Sequence, residues 1–162
     1  MTESYHKAQL ADIPELKALF VDCIKRTCTA DYSPTEIEAW LSSIKNQQRW
    51  TDLVKHQKVI MLKVQNQLAG FASLKESDYL DFIYVSPNFQ GKGIAKKLLA
   101  KITELALEAG AEKLISDISI TARPFFESRG YTVLRENRNL RGEQVLINYR
   151  MEKAIKKNPD HL

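Results

Sequence analysis

Cysteine is scarce in this chain of 162 residues, with Cys23 and Cys28 as its only two. Neither has His or Cys neighbours at zinc-ligand spacing, which argues against a disulfide framework and a metal centre and leaves both thiols reduced. The three histidines, His6, His56 and His161, show no partner pattern and point to no site. Long apolar runs are also missing, so no segment reaches membrane-spanning length. The first ten residues, MTESYHKAQL, lack the hydrophobic core of a secretory signal, and the expectation is a cytoplasmic protein with no membrane partner. There is no internal repeat and no low-complexity linker. Charge of one sign is not concentrated either: 24 Lys and Arg are spread among 20 Asp and Glu, for a net charge of +4. Without a dense basic stripe or an aromatic RNA-binding strand motif, nucleic acid is not the expected partner.

What is present is enough apolar residue, 44% of the chain, to build one core. A single domain over residues 1–162 is expected, with a polar, frayed tail from about residue 153. A short strand is predicted at residues 5–8. Asp12, Pro14 and Glu15 then read as a helix start, with Asp12 as the N-cap, and Ile13, Leu16, Phe20 and Ile24 mark its buried face. Ser33, Pro34 and Glu36 repeat that logic as cap, first helical position and capping-box acid for a second helix carrying Ile37, Trp40, Leu41 and Ile44. From Lys58 the period changes to two. Residues 59–64 and 68–74 read as a hairpin about Gln65-Asn66-Gln67, followed by a strand at 79–85 that completes an antiparallel meander. A helix at 93–109 stopped by Gly110, a strand at 113–118, a short helix at 123–129 ending at Gly130, and strands at 131–136 and 145–151 around a 137–144 loop complete the order.

The richest segment is LDFIYVSPNFQGKGIAKKLL, residues 80–99, in which an apolar strand runs through a glycine-bearing turn into a basic helix. Such a junction suits an anion, because the first turn of a helix leaves N–H groups unpaired and the helix dipole adds positive charge there. It is not a Walker A loop, since Gly91-Lys92-Gly93 is followed by Ile94 rather than Ser or Thr. Nor is it a Rossmann fingerprint, whose last glycine would fall on Lys96. Gln90-Gly91-Lys92-Gly93-Ile94-Ala95, preceded by Tyr84-Val85-Ser86-Pro87, resembles the Q/R-x-x-G-x-G/A acetyl-CoA signature of the GCN5-related N-acetyltransferase (GNAT) superfamily. ARPFFESRGY, residues 122–131, falls at the family's position after the next strand, and the resemblance is clearest over residues 68–131.

That resemblance implies an α/β fold with a mixed central sheet: an antiparallel N-terminal meander, strands splayed at the cofactor site, and flanking helices. It implies acetyl-CoA as cosubstrate, no metal, and direct acetyl transfer in a ternary complex to an amine of a small molecule or peptide. Tyr84 and Val85 would supply backbone contacts to the pantetheine. Gln90, Gly91, Lys92, Gly93, Ile94, Ala95 and Lys96 would hold the diphosphate, and Ser119, Phe125 and Phe126 would line the cofactor. A homodimer is compatible with it.

Amine acetylation needs a route for the ammonium proton and an acid for the departing thiolate. Asp81 is the candidate base, an acid interrupting the apolar strand Leu80, Phe82, Ile83, Tyr84, where burial would raise its pKa; a solvent-facing edge Asp is the other reading. The position from which many members aim a Tyr at the sulfur holds Phe126, and a frequent Asn is Ser119. Tyr84, Ser119 or water are then the candidate donors, with Tyr84 the residue named. The same substitution keeps open a second class, an acyl-CoA-binding or regulatory module with little activity. Acceptor choice is expected from the first two helices, residues 28–33 and the 137–144 loop, with Tyr32, Trp40 and Trp50 as an aromatic wall or as packing.

Overall fold

A computed structural model describes residues 2–156, and the hairpin about Gln65-Asn66 forms as β2 (Lys58–Val64) and β3 (Gln67–Lys75). Gln65 and Asn66 both take positive φ, 50° and 67°, as a two-residue turn that matches strand twist requires. β1 (Glu3–Lys7) pairs antiparallel with β2, one residue short of the expected end at Ala8. β4 (Tyr79–Val85) follows β3 antiparallel as the meander predicts.

Two helices form where expected and a third was not anticipated. α1 (Ile13–Thr27) buries Leu16, Leu19, Phe20, Cys23 and Ile24. Asp12 does not cap it with its side chain; the carboxylate instead accepts from the Gln9 N–H at 2.7 Å, closing a preceding 3-10 turn. α2 (Pro34–Leu41) has the full capping box, with Glu36 N–H donating to Ser33 Oγ at 3.2 Å and Ser33 N–H to Glu36 Oε1 at 2.8 Å. α3 (Gln47–His56) is the addition: Asn46 caps it by accepting from Arg49 N–H at 3.1 Å, and Trp50, Leu53 and Val54 form its buried face.

Past β4, α4 (Ile94–Glu108) leads to β5 (Lys113–Ser119) and α5 (Arg123–Ser128). The last hairpin departs from expectation. β6 (Thr132–Arg141) and β7 (Gln144–Ala154) run through most of the residues read as a loop and through the start of the expected tail. The pairing of Arg141 with Gln144 leaves only Gly142 and Glu143 to turn. Residues 157–162, with His161 and the rest of that tail, lie outside the described residues.

The seven strands form one sheet in the order β1-β2-β3-β4-β5-β7-β6. α1, α2 and α3 cover one face around Phe20, Trp50, Phe71 and Phe82, and α4 with α5 covers the other around Leu80, Leu98, Ile102 and Phe126. Period-two alternation feeds both layers at once, so Met61 joins the first cluster and Leu62 the second. Gly70 sets how near α4 comes: a Cβ there would lie 2.9 Å from Leu98 Cδ1 and 3.0 Å from Ile94 Cγ2. The helix that follows the glycine loop is thereby fixed against the middle of the sheet.

Candidate active site

β4 and β5 are parallel neighbours for two rungs only, Tyr79 with Ile115 and Leu80 with Ser116. Ser116 Oγ donates to Leu80 O at 2.6 Å beside the last rung. Beyond it each strand keeps its other partner, β4 along β3 as far as Val85 and β5 along β7 as far as Ser119. The sheet therefore opens into a V, and main-chain groups on the two facing edges lose their ladder partners. A cleft of about 400 Å³ lies at this opening, lined among others by Asp81, Tyr84, Ser119 and Phe126.

The glycine loop sits at the end of β4. Gly91 and Gly93 take φ of +75° and +76°, and a Cβ on either would meet nothing within 4 Å, so the backbone there faces open space. Gly93 is the N-cap of α4, and Lys97 N–H makes the first helical bond, to Gly93 O at 3.1 Å. The N–H groups of Ile94, Ala95 and Lys96 stay unpaired by helix geometry, at the positive end of the dipole. Side chains divide by role. Ile94 is buried in the core and Ala95 packs against it, whereas Lys92 and Lys96 have no carboxylate at ion-pair distance among the described residues. Lys97 pairs with Glu3, and Lys101 with Glu104 at 3.7 Å. Gln90 Nε2 reaches Val85 O at 3.4 Å, tying the loop to the strand end.

Asp81 is neither solvent-facing nor isolated. Its side chain is 9% exposed and receives three hydrogen bonds: Arg49 Nη1 to Oδ2 at 2.8 Å, Arg49 Nη2 to Oδ1 at 3.0 Å, and Gln57 Nε2 to Oδ2 at 2.6 Å. Reasoning from burial alone leaves these donors out, because α3 that brings Arg49 was not anticipated. Tyr84 packs edge-on against Phe20 at 4.9 Å, and burial pushes its phenol well above the ordinary value. It is a protonated donor at the cleft wall. Ser119 Oγ accepts from Ala122 N–H at 3.1 Å, which holds the turn into α5. Phe126 is 1% exposed and stacks edge-on with Phe125 and Tyr131, so its ring is core with one edge at the cleft, while Phe125 packs on the α4 face beneath Arg129.

Of the three aromatic wall candidates, two reach the cleft. Tyr32 and Trp40 line it with rings 5.2 Å apart. Tyr32 OH donates to Ile147 O at 2.6 Å and accepts from Ile120 N–H at 3.0 Å, and burial pushes its phenol up to about 12. Trp50 is core, 1% exposed, with Nε1 donating to Ser43 O at 3.1 Å.

A second polar centre was missed in the sequence. Burial pushes the Asp117 carboxyl up, but hydrogen bonds from Arg150, Tyr79 and Asn137 outweigh it and hold the group below the usual carboxylate range. Their distances are 2.8 and 3.1 Å for Arg150, 2.6 Å for Tyr79 OH and 2.7 Å for Asn137. Its signal was Asp117 between Ser116 and Ile118 in an alternating strand, legible only once β6 and β7 extend far enough to lie beside it. Among the described residues no group of His, Cys, Asp and Glu is arranged to hold a metal ion, and no helix is long and apolar enough to cross a membrane.

Residues 28–153 match the family model described as an acetyltransferase (GNAT) domain. An uncharacterized N-acetyltransferase of Escherichia coli K12, YafP, is 32% identical over 130 residues, covering 80% of this chain and 81% of that protein. The crystal structure described as a GCN5-related N-acetyltransferase: aminotransferase, class-II, from Rhodopseudomonas palustris superposes with a TM-score of 0.91 at 30% identity, over 95% of this chain and 96% of that one. A PaiA N-acetyltransferase from Thermoplasma acidophilum, solved in complex with coenzyme A, shares the fold at a TM-score of 0.77 and 20% identity, over 95% and 99% of the two chains.

Proposed function

This chain belongs to the GNAT acetyltransferase family, and from that membership we propose that it is an N-acetyltransferase, with residues 1–162 as one catalytic domain, moving the acetyl group of acetyl-CoA to a primary amine of a small molecule or peptide. The observation that carries this reading is the V between β4 and β5 ending at a glycine loop of positive φ. A pantetheine amide is itself a peptide-like group, and it pairs with the freed edge of β4 at Tyr84 and Val85 as a missing strand would. The diphosphate takes the N–H groups of Gly91 to Lys96 and the charges of Lys92 and Lys96, with Gln90 bracing the turn. Ser119, Phe125 and Phe126 lie along the β5–α5 side of the cofactor, and the Phe126 edge excludes water from the thioester.

Transfer then combines proton movements with one exchange of acyl bonds. The acceptor ammonium gives a proton to Asp81 Oδ1, which carries one donor where Oδ2 carries two. The neutral amine attacks the thioester carbonyl, whose oxygen is held by main-chain N–H. The C–N bond forms and the C–S bond breaks; the thiolate takes the proton of Tyr84 OH, the second proton leaves the new amide nitrogen through solvent to restore that phenol, and Asp81 gives its proton to bulk water as product departs. Arg49 and Gln57 position Asp81 for the first step. A cytoplasmic location, and a homodimer through the open edge of β6, belong to the same proposal.

The test is thiol release from acetyl-CoA across amines, amino acids and peptides, with Asp81→Ala beside the native protein. Amine-dependent release that falls sharply in the variant is expected; equal turnover overturns the base assignment. Phe126 in place of a phenol favours the second reading, an acyl-CoA-binding module. CoA affinity without release for any amine would select it.

A further inference from the structure

The acceptor side of the cleft has a charge pattern that the transfer chemistry does not use. Its floor is the inner face of β5, β7 and β6, laid in cross-strand rows: Asp117 beside Arg150 beside Arg135, then Ser119 beside Asn148 beside Asn137. Arg141 closes the same face at the hairpin tip. Counting charged side chains around the cleft gives four guanidiniums, Arg49, Arg135, Arg141 and Arg150, against two carboxylates, Asp81 and Asp117.

The carboxylates are spoken for. Asp81 holds Arg49 and Asp117 holds Arg150, each through two hydrogen bonds. Among the described residues the Arg135 guanidinium bonds only to the Asn137 Oδ1 carbonyl at 3.1 Å, and that of Arg141 only to Leu140 O at 3.1 Å. Neither has a carboxylate at ion-pair distance among the described residues. Arg138, three residues from each and so on the other face of β6, does, with Glu136 at 3.4 Å. Arg135 also stands directly across from Arg150, a like-charge cross-strand pair that Asp117 offsets on one side only.

Resting on the acetyl-transfer reading above, we propose that the acceptor is an amine that also carries an anionic group, a carboxylate or a phosphate, received by Arg135, with Arg141 adding field at the mouth. A guanidinium presents paired N–H donors that match either oxyanion. The surplus positive charge that attracts such a molecule repels acceptors bearing several ammonium groups and no anion, so polyamines and aminoglycosides are poor substrates. Asp81 takes the amine end and Arg135 the anionic end.

Matched pairs differing only in the anion test this: lysine against cadaverine for a carboxylate, O-phosphoethanolamine against ethanolamine for a phosphate. In thiol release, kcat/KM is expected to favour one anionic member at least tenfold over its partner, and the pair showing it identifies which oxyanion is read. Arg135→Gln is expected to bring that ratio close to one, chiefly through KM, while Arg138→Gln leaves it unchanged. Calorimetric titration of the same four compounds into CoA-loaded protein gives a readout independent of turnover. Anion-selective, Arg135-dependent binding without thiol release would sustain the inference and overturn acetyl transfer. Equal binding within both pairs, preference for cadaverine, no binding of any of the four, or a ratio untouched by Arg135→Gln would overturn the inference itself.

Discussion

Arg49 grips Asp81 with two hydrogen bonds of 2.8 and 3.0 Å, and its guanidinium lies 4.6 Å from the centre of the Phe82 ring. Bound on one side by a carboxylate and on the other by an aromatic face, it has little freedom to leave. The pair joins α3 to β4 at the place where β4 begins to part from β5.

The pair should therefore behave as one unit. In a double-mutant cycle of Arg49→Ala and Asp81→Ala, urea unfolding is expected to give a coupling of about 1–3 kcal/mol, the range for charge-assisted hydrogen bonds. Arg49 is 40% exposed, which places the value toward the lower end. Additive losses would mean that the contact contributes nothing to the fold.

Gly70 and Gly93 should fail in opposite ways. Gly70→Ala drives a methyl group to 2.9 Å from both Leu98 Cδ1 and Tyr84 O, the second of which is backbone and cannot step aside. A loss of about 1–3 kcal/mol is expected from overpacking. Gly93→Ala meets no atom and has only its positive φ to oppose, about 1–2 kcal/mol. Its larger effect is expected on CoA affinity, at least tenfold weaker by calorimetry. Unchanged affinity would remove the loop from the cofactor site.

Tyr84→Phe keeps the ring against Phe20 and Phe71 and deletes only the phenolic hydroxyl. Thiol release is expected to drop by about tenfold to a hundredfold, the lower end for a general acid because a thiolate leaves readily. Retained thermal stability with reduced release separates a chemical role from packing. A rate equal to that of the native protein would leave Phe126 with no phenol standing in for it.

High pH should unfold this protein early. Burial raises the phenols of Tyr32 and Tyr131 to about 12, and burial also raises those of Tyr79 and Tyr84, with the Asp117 bond adding to the shift at Tyr79. A native pKa above the unfolded value near 10 gives stability that is complete below about pH 10 and is lost as pH rises toward 12. Each phenol contributes a loss of about 1.4 kcal/mol per pH unit within that window. Urea midpoints at pH 8, 10 and 11, followed with phenolate absorbance, check this; a flat profile would contradict the burial of these hydroxyls.

Local signals in the sequence carried most of the architecture. Ser33-Pro34-Thr35-Glu36 encodes its own capping box, and Gln65-Asn66 its own turn, because both are settled by neighbouring backbone. Asp12 misled because two overlapping turns compete for one carboxylate and the earlier one wins. α3 has Trp50, Leu53 and Val54 at helical spacing but no strong start signal, and it carries Arg49, the partner that defines Asp81. The glycine loop was readable because its glycines and lysines are contiguous. The polar floor of β5, β7 and β6 was not, since Asp117, Arg135, Asn137 and Arg150 meet only after β6 and β7 pair through residues whose polar composition resembles a loop.

Two ladder rungs between β4 and β5, with the Ser116–Leu80 and Tyr79–Asp117 side-chain bonds beside them, stitch a four-stranded half of the sheet to a three-stranded half. On the proposed reading, such a seam would make the protein a clasp fastened by acetyl-CoA. Each turnover would close it with acetyl-CoA and loosen it as CoA leaves, so amide exchange along Asp81 to Val85 and Asp117 to Ser119 should report occupancy without any assay of chemistry.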